Sequence, residues 1–461
     1  MKLNSKKHIH FIGIGGIGMS AIALVLRKMG HKVTGSDVKS SRLIEKIRTC
    51  GGEVFLGHNE KNINGADIVV FSSSITAENP ELKSARDKKI ATLHRAEMLA
   101  LLMNGKKGIA VTGAHGKTTT TSLISHILFR AKLDPTAILG GEVASINGNA
   151  VLGRGDYFVV EADESDGSFV HLEPFYCVIT NIDEEHLDYY RNIREIMSSY
   201  MKFIEKIRRG GRLFACGDCD NIKRALRAYE KDITYFGLSK GLDIYPEDIK
   251  MHEDHTEFSV VYNGDNLGRA ALNIPGIHNV SNAMAAFAVA LQIGLDFKTI
   301  KDTVEDFRGA ERRFQRKYCK DGISIIDDYA HHPAEIKATI LAAKNWNPKR
   351  LVVLFQPHRY SRTKYLKERF GRCFDLADHL VITDIYAASE EPIEGVSGKD
   401  IYEETKSKGH KSAIFLSRRD VKEYLLNYVR LGDMVLVLGA GDVTSVAEEL
   451  AKELSVKRQV K

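Results

Sequence analysis

The sequence predicts an α/β protein of three domains, each built on a mainly parallel sheet. Three observations carry this expectation. The chain has 461 residues, more than one hydrophobic core usually serves. Two apolar β-type runs each pass through a glycine turn into a helical pattern, one near the N-terminus and one at Gly108–Ala131. Residues 309–461 alternate short apolar runs with helical stretches, the pattern of a parallel sheet with helices on both faces. The expected domains are 1–104, Rossmann-like; 105–308, with a P-loop-type turn; and 309–461, again Rossmann-like.

Composition narrows the class. Hydrophobic residues make up 43% and charged residues 27%, as in water-soluble globular proteins. A net charge of +6 is mild over this length, and no Lys/Arg block stands out. That suits small phosphorylated ligands and gives no support to a nucleic-acid partner. The six cysteines are scattered, as in a reducing compartment. Cys216 and Cys219 form a CxxC, but no second pair completes a zinc site, and a strand-end turn explains the spacing better than a redox motif. Lys2, Lys6 and Lys7 before the apolar run Ile9–Leu26 imitate a signal peptide. Four glycines and His10 interrupt that run, so a cytoplasmic enzyme without membrane insertion is expected. Monomer and homodimer are both open.

In the first domain, HIHFIGIGGIGMSAIALVLRKMGHKVTGSD reads strand, glycine turn, helix, strand. Gly13, Gly15 and Gly18 satisfy GxGxxG, and Asp37 follows at the spacing of a ribose-binding acid. On its own this motif suits an NAD-dependent dehydrogenase. Another diphosphate, or plain close packing, would use the same turn. A strand at Asp67–Ser73 follows, Pro80 opens a helix, and Arg95–Glu97 begin the helix leading out.

The central domain opens on GIAVTGAHGKTTTTSLISHILFRA. Gly113, Ala114, His115, Gly116, Lys117 and Thr118 form a short GxxGKT turn, with Thr119 next in the helix. Glycines let successive N–H groups face one anion, and the helix N-terminus adds positive potential. Lys117 reaches outer phosphates and the Thr118 hydroxyl suits Mg²⁺. The usual pattern wants glycine where Val111 stands. The strand Tyr157–Glu161 ends in an acid, the usual place for a second Mg²⁺ anchor; Glu161 is the first choice and Asp163 the second. The strand Tyr176–Thr180 runs into NIDEEHLDYY, where His186 stands among Asp183, Glu184, Glu185 and Asp188. A helix is expected at Asn192–Arg209, strands near 212–215 and 234–236, and β-ribbons over 243–273. His278, Asn279 and Asn282 stand at the start of the next helix. Capping the helix and reading a base edge are equal alternatives for the asparagines. Two phosphate-type turns in one chain point to two phosphorylated ligands.

The third domain carries strands at Ile323–Asp327, Leu351–Phe355, Leu380–Thr383, Ala413–Leu416 and Met434–Leu438, and helices such as Ala334–Trp346 and Val421–Arg430. DDYAHHPAE and FQPHRYSRT follow the first two strands. Strand C-termini form the binding crevice of such sheets, so His331, His332, His358, Arg359 and Arg362 gather there. Two arginines clamp a carboxylate or phosphate in bidentate fashion; a solvated basic face is the alternative.

GIGGIGMSAIA, TGAHGKTTT, EADESD, NIDEEHLD, PGIHNVSNA, ERRF, DDYAHHPAE and QPHRYSRT, in this order and over nearly the whole chain, resemble the Mur ligases, closest to their alanine-adding branch. The resemblance implies an ATP-dependent amide ligase with Mg²⁺ (or Mn²⁺), whose substrates are UDP-N-acetylmuramate, L-alanine and ATP. It implies that Gly15, Gly16, Ile17 and Gly18, with Asp37 and Ser73, hold the UDP-sugar. The 113–119 turn would hold the ATP phosphates, and Thr118, Glu161 and His186 the metals. His278, Asn279 and Asn282 would surround adenine. Arg312, Arg313 and, through the ribose, Asp327 would complete the nucleotide site. Tyr329, His331, Arg359 and Arg362 would form the amino-acid site, with Lys117, His186, His331 and Arg359 closest to the chemistry. Several Mur ligases carry a carbamylated lysine fourteen or fifteen residues after the metal histidine. Tyr200 and Met201 stand there, with Lys202 one further, as is general in the alanine-adding branch. The nearest alternative within the family recycles a murein tripeptide and typically reads DDF where this chain has Asp327, Asp328 and Tyr329. Partial acceptance of glycine or L-serine is open.

Overall fold

A computed structural model describes residues 3, 5–143, 148–187, 189–320, 322–388 and 390–457; Lys2 and Asp188 lie outside them. The first sheet holds β1 (His8–Ile12), β2 (Lys32–Asp37), β3 (Glu53–Leu56), β4 (Ile68–Phe71) and β5 (Ala91–His94). Its order is β3-β2-β1-β4-β5, parallel throughout. Four helices accompany it: α1 (Ile17–Lys28), α2 (Arg42–Thr49), α3 (Pro80–Asp87) and α4 (Arg95–Met103). The run that imitates a signal peptide is β1, the glycine turn and the buried α1.

The second sheet has ten strands. In chain order its elements are β6 (Lys107–Thr112), α5 (Lys117–Arg130), β7 (Thr136–Val143), β8 (Gly148–Val151), β9 (Tyr157–Glu161), β10 (Tyr176–Ile179), α6 (Ile193–Ile204), β11 (Arg212–Cys216), α7 (Asp220–Ala225) and β12 (Ile233–Phe236). Then come β13 (Ile244–Met251), β14 (Thr256–Tyr262), β15 (Asp265–Leu272), α8 (Ile277–Ile293) and α9 (Phe297–Asp306). The order is β15-β14-β13-β12-β11-β10-β6-β9-β7-β8. Strands β12 to β7 along that order are parallel; β13–β15 form an antiparallel ribbon, and β8 pairs antiparallel with β7. The helix expected over Asn192–Arg209 is shorter. Asn192 is its N-cap, accepting from the N–H groups of Arg194 and Glu195, and by Arg208 the backbone N–H has turned to the Pro174 carbonyl.

The third sheet runs β16-β17-β21-β18-β19-β20. Its elements are β16 (Gln315–Lys320), β17 (Ile323–Asp328), α10 (Pro333–Lys344), β18 (Arg350–Phe355), α11 (Tyr360–Phe370), β19 (His379–Ile382), α12 (Gly398–Ser407), β20 (Ala413–Phe415), α13 (Val421–Tyr428), β21 (Asp433–Leu438) and α14 (Thr444–Lys457). Only β16, an edge strand not foreseen, is antiparallel. Apolar cores cover both faces of this sheet. The first two domains share one continuous core, because α1 packs on β7 and β8. Among the described residues, no helix is long and apolar enough to cross a membrane.

Candidate active site

The central site follows from strand order. Because β6 lies between β9 and β10, Val111 pairs with Glu161 and Thr112 with Ile179. Three strand ends with unusual sequences therefore stop at one height: the glycine turn, EADESD and NIDEEH. Two glycines permit the turn. A side chain at Gly113 would meet the Thr180 hydroxyl at 2.1 Å, and one at Gly116 would meet Asn282 Oδ1 at 2.5 Å; both backbones lie at positive φ. Asn181 pins the loop from the next strand, accepting from the His115 N–H at 2.8 Å and donating to its carbonyl at 2.9 Å.

Lys117 opens α5. Its ammonium donates to the carbonyls of Gly113 and Ala114 at 2.6 and 3.2 Å and to Glu164 at 2.8 Å. Burial opposes its charge, but Glu164, Asp163 and Glu161 outweigh that and hold the group protonated. Burial raises Glu161 against the pull of Lys117, and its carboxylate accepts from the Gly140 N–H at 3.1 Å. Asp163, the second choice for a metal anchor, pairs with Arg95 at 3.2 Å. His186 sits at φ 55°, with Nε2 3.4 Å from Glu164 and 3.5 Å from Glu185. Donor atoms of Glu164, Glu185 and His186 lie within 4.8 Å of one another. Glu161, Glu164 and Glu185 with the Thr118 hydroxyl make an oxygen-rich set, the kind that suits Mg²⁺. Tyr200 is buried near Thr112 and Glu164.

Two cavities meet at the phosphate loop. The first, about 380 Å³, is lined by His115, Gly116, Thr119, His278, Asn279, Asn282, Arg313 and Asp328. Asn279 Nδ2 donates to the Pro275 carbonyl at 2.7 Å, and Asn282 donates to Asn279 at 3.2 Å. Neither caps α8, whose N-cap is Gly276 without a side-chain bond. Burial lowers His278 to about 4, so its ring is neutral at pH 7. Cys216 and Cys219 border the same cavity as free thiols.

The second cavity, about 510 Å³, draws walls from all three domains. Ile17 comes from α1; Ala114, Lys117, Thr118, Glu161 and His186 from the centre; Arg312, Arg313, Tyr329, His331, Arg359 and Arg362 from the third domain. Gly116, Arg313 and Glu335 line both cavities. His331 is lowered to about 4, by burial and then by Arg362, and its Nδ1 meets the Tyr329 carbonyl at 2.9 Å. Arg362 lies 3.1 Å from His358 Nδ1, and Arg359 lies 3.9 Å from Glu390. The guanidinium groups of Arg312 and Arg313 stand 5.0 and 5.3 Å from the Tyr329 ring centre.

One expectation needs correction. Asp327, expected at the ribose, lines neither cavity. It is fully buried, accepting from the Thr444 hydroxyl at 2.6 Å beside Arg312 and Lys317. Neighbouring strand residues face opposite sides of a sheet, and Asp328 is the one that lines the first cavity. The N-terminal residues form a separate group. Asp37 accepts from the Gly15 N–H at 2.9 Å, Gly16 caps α1, and Gly18 packs under Arg95. The Ser73 hydroxyl pairs with His94 and Asp166. Of this set only Ile17 reaches the three-walled cavity. Sequence reading did not single out Glu164, Glu335, Arg95 or Asp328. Glu164, Glu335 and Asp328 each stand one to three residues from a chosen one, in EADESD, HHPAE and DDY, while Arg95 in HRAE has no chosen neighbour; the signal was there for the first three, without the facing side chain that gives it meaning.

Comparison with known proteins adds to this geometry. Three family profiles match in chain order: "Mur ligase family, catalytic domain" over residues 8–107, "Mur ligase middle domain" over 111–290 and "Mur ligase, glutamate ligase domain" over 312–441. The UDP-N-acetylmuramate–L-alanine ligase of Pelotomaculum thermopropionicum is 45% identical over 460 residues, 99% of this chain and 100% of its own. That of Trichlorobacter lovleyi is 46% identical over 449 residues, 97% of this chain and 98% of its own. Among solved structures, the UDP-N-acetylmuramate–alanine ligase of Thermotoga maritima superposes with a TM-score of 0.84 at 31% identity, covering 98% of this chain and 100% of that one.

Proposed function

The chain belongs to the Mur ligase family, and from that premise we infer that it joins L-alanine to the lactyl carboxylate of UDP-N-acetylmuramate, driven by ATP, in peptidoglycan synthesis. The observation that carries this is 45% identity over nearly full length to ligases of that activity. The dehydrogenase reading of GxGxxG falls away with it. A murein peptide ligase from Psychrobacter arcticus has a TM-score of 0.73 at 24% identity, a likeness of fold alone.

The site suggests how the residues share the work. Carboxylate is a poor electrophile, so it is first phosphorylated. The lactyl oxygen attacks the γ-phosphorus and ADP leaves; the alanine nitrogen then attacks the acyl carbon and phosphate leaves. Gly113, Ala114, His115, Gly116, Thr118 and Thr119 cradle the phosphates, with adenosine in the first cavity near His278, Asn279 and Asn282. Lys117 leaves its loop carbonyls for the γ-phosphate and spreads the charge that develops there. Thr118, Glu161 and His186 would hold Mg²⁺, with Glu164 supplying a further carboxylate beside His186. Bound Mg²⁺ (or Mn²⁺) supplies Lewis acidity at the phosphoryl oxygens. Arg359 and Arg362 grip the alanine carboxylate and orient its nitrogen, an entropic advantage. Tyr329 lines this subsite. His331 is neutral and, with Nδ1 donating to the Tyr329 carbonyl, leaves Nε2 as a hydrogen-bond acceptor that orients the alanine amine. The N-terminal domain (1–104) delivers the UDP-sugar, the central domain (105–308) ATP, and the third (309–461) alanine. We further infer a cytoplasmic location, supported by six free cysteines.

The test is phosphate release from MgATP with UDP-N-acetylmuramate and each amino acid added in turn. Release should require both the sugar nucleotide and L-alanine. Release with a murein tripeptide but not with L-alanine would move the chain to the recycling branch, and release without any amino acid would sink the ligase reading.

A further inference from the structure

We propose that Glu335 and Arg369 are positioning residues for the phosphate loop: with His115 and Asp183 they form a ladder of alternating charge through which the third domain sets that loop. This rests on the ligase function, in which the loop holds ATP. The ladder crosses the domain boundary twice. His115 Nδ1 lies 3.4 Å from Glu335 Oε1, and its Nε2 lies 3.5 Å from Asp183 Oδ2. Arg369 Nη2 then donates to both Asp183 oxygens, at 3.3 and 3.4 Å. In order the charges are negative, positive, negative, positive. Burial opposes the charge on His115, and Asp183 and Glu335 outweigh it. The His332 ring lies against His115 with centroids 4.7 Å apart; burial lowers it to about 4, so it brings no competing charge at pH 7.

Both arms come from helices that carry the amino-acid subsite. Helix α10 starts just after His331, and Glu335 stands in its first turn. Glu335 Oε2 accepts from the N–H groups of His331 and His332 at 3.1 and 3.3 Å, which leaves Oε1 for His115. Helix α11 follows Arg359, carries Arg362 near its start and Arg369 near its end. The backbone of His115 is fixed to Asn181 within the central domain, and its side chain supplies the link outward. The ladder thus ties the helices that grip alanine to the turn that holds the phosphates. The Glu335 side chain is 12% exposed and that of Arg369 39%. Water screens the outer pair, so the inner arm has the larger effect.

The test is a double-mutant cycle on the full chain, read as ATP affinity by calorimetry. Glu335→Gln keeps an oxygen for the α10 cap and removes the charge facing His115; ATP binding should weaken about tenfold. Arg369→Glu sets two carboxylates together and should weaken it about threefold, whereas Arg369→Lys should stay within about twofold of wild type. In a His115→Asn background, Glu335→Gln should add nothing, because its partner is gone; a role in capping or packing alone would persist there. Should Glu335→Gln fold poorly, the two Arg369 variants decide. ATP binding is read without turnover, so a failure of the ligase function, seen as no alanine-dependent phosphate release from wild type, is a separate result. Three outcomes would overturn the proposal: unchanged affinity in folded Glu335→Gln or Arg369→Glu, equal losses in Arg369→Lys and Arg369→Glu, or an undiminished effect of Glu335→Gln beside His115→Asn.

Discussion

Gly116→Ala tests the link between loop geometry and nucleotide binding. Gly116 lies at φ 80°, and an added Cβ would stand 2.5 Å from Asn282 Oδ1. Two penalties follow. A left-handed conformation costs an L-residue ~1–2 kcal/mol. The Asn282 amide must also swing aside, breaking its 3.2 Å bond to Asn279, a loss of ~1 kcal/mol. The sum is roughly 2–3 kcal/mol. If the loop yields rather than α8, that energy falls on the N–H groups facing the phosphates, and ATP affinity drops roughly 30- to 150-fold. Gly105→Ala is the control, since Gly105 sits at φ 82° with nothing within 4 Å of an added Cβ. It carries the backbone penalty without the clash and lies away from the loop. ATP binding by calorimetry and thermal unfolding would be measured for both. Equal ATP affinity in the two variants would refute the reasoning.

Lys117→Ala should abolish ATP-dependent phosphate release while UDP-N-acetylmuramate still binds; lost sugar-nucleotide binding in calorimetry would mean that the domain roles are misassigned. Arg359→Ala should raise the KM for L-alanine at least tenfold with a smaller change in the KM for ATP, and an unchanged alanine KM in steady-state kinetics would remove that role. His278, lowered to about 4 chiefly by burial, stays neutral in the folded chain while the unfolded chain takes up a proton below about pH 6.5. Its stabilising effect is therefore present above that pH and lost as pH falls toward 4, by up to ~1.4 kcal/mol per pH unit; urea unfolding of wild type and His278→Gln at pH 5 and 7 should show a steeper acid loss for wild type.

Strand-to-helix transitions were readable wherever the chain marks them with glycine. The β6–α5 turn is the plain case, because an apolar run, two glycines and a helical pattern leave one local solution. The antiparallel edge β16 was not readable. Gln315–Lys320 has no alternation of apolar residues, and only Tyr318 of the strand is buried; pairing with β17 makes it a strand, and pairing is a long-range fact. Helix ends were blurred for a related reason. Arg208 continues the polar pattern of α6, yet its N–H turns to Pro174 on a neighbouring segment.

The site was legible as residue types and not as partnerships. Lys117 and His186 stand out in the sequence, and nothing local says that Glu164 lies between them. That contact depends on β6 being flanked by β9 and β10, which sets two distant acidic strand ends beside one glycine turn. His115 is the sharpest instance. A histidine in a glycine turn looks like a spacer, but Asp183 arrives from β10 and Glu335 from α10. Burial would strip its proton, and these two carboxylates reverse that, raising it to about 10. The phosphate loop thus carries a second cation besides Lys117, which Asp183 of the central domain and Glu335 of the third domain hold together. Docking of the third domain thus adds Glu335 to the carboxylates that hold this charge beside the ATP phosphates, in the closed arrangement where the acyl phosphate is screened from water.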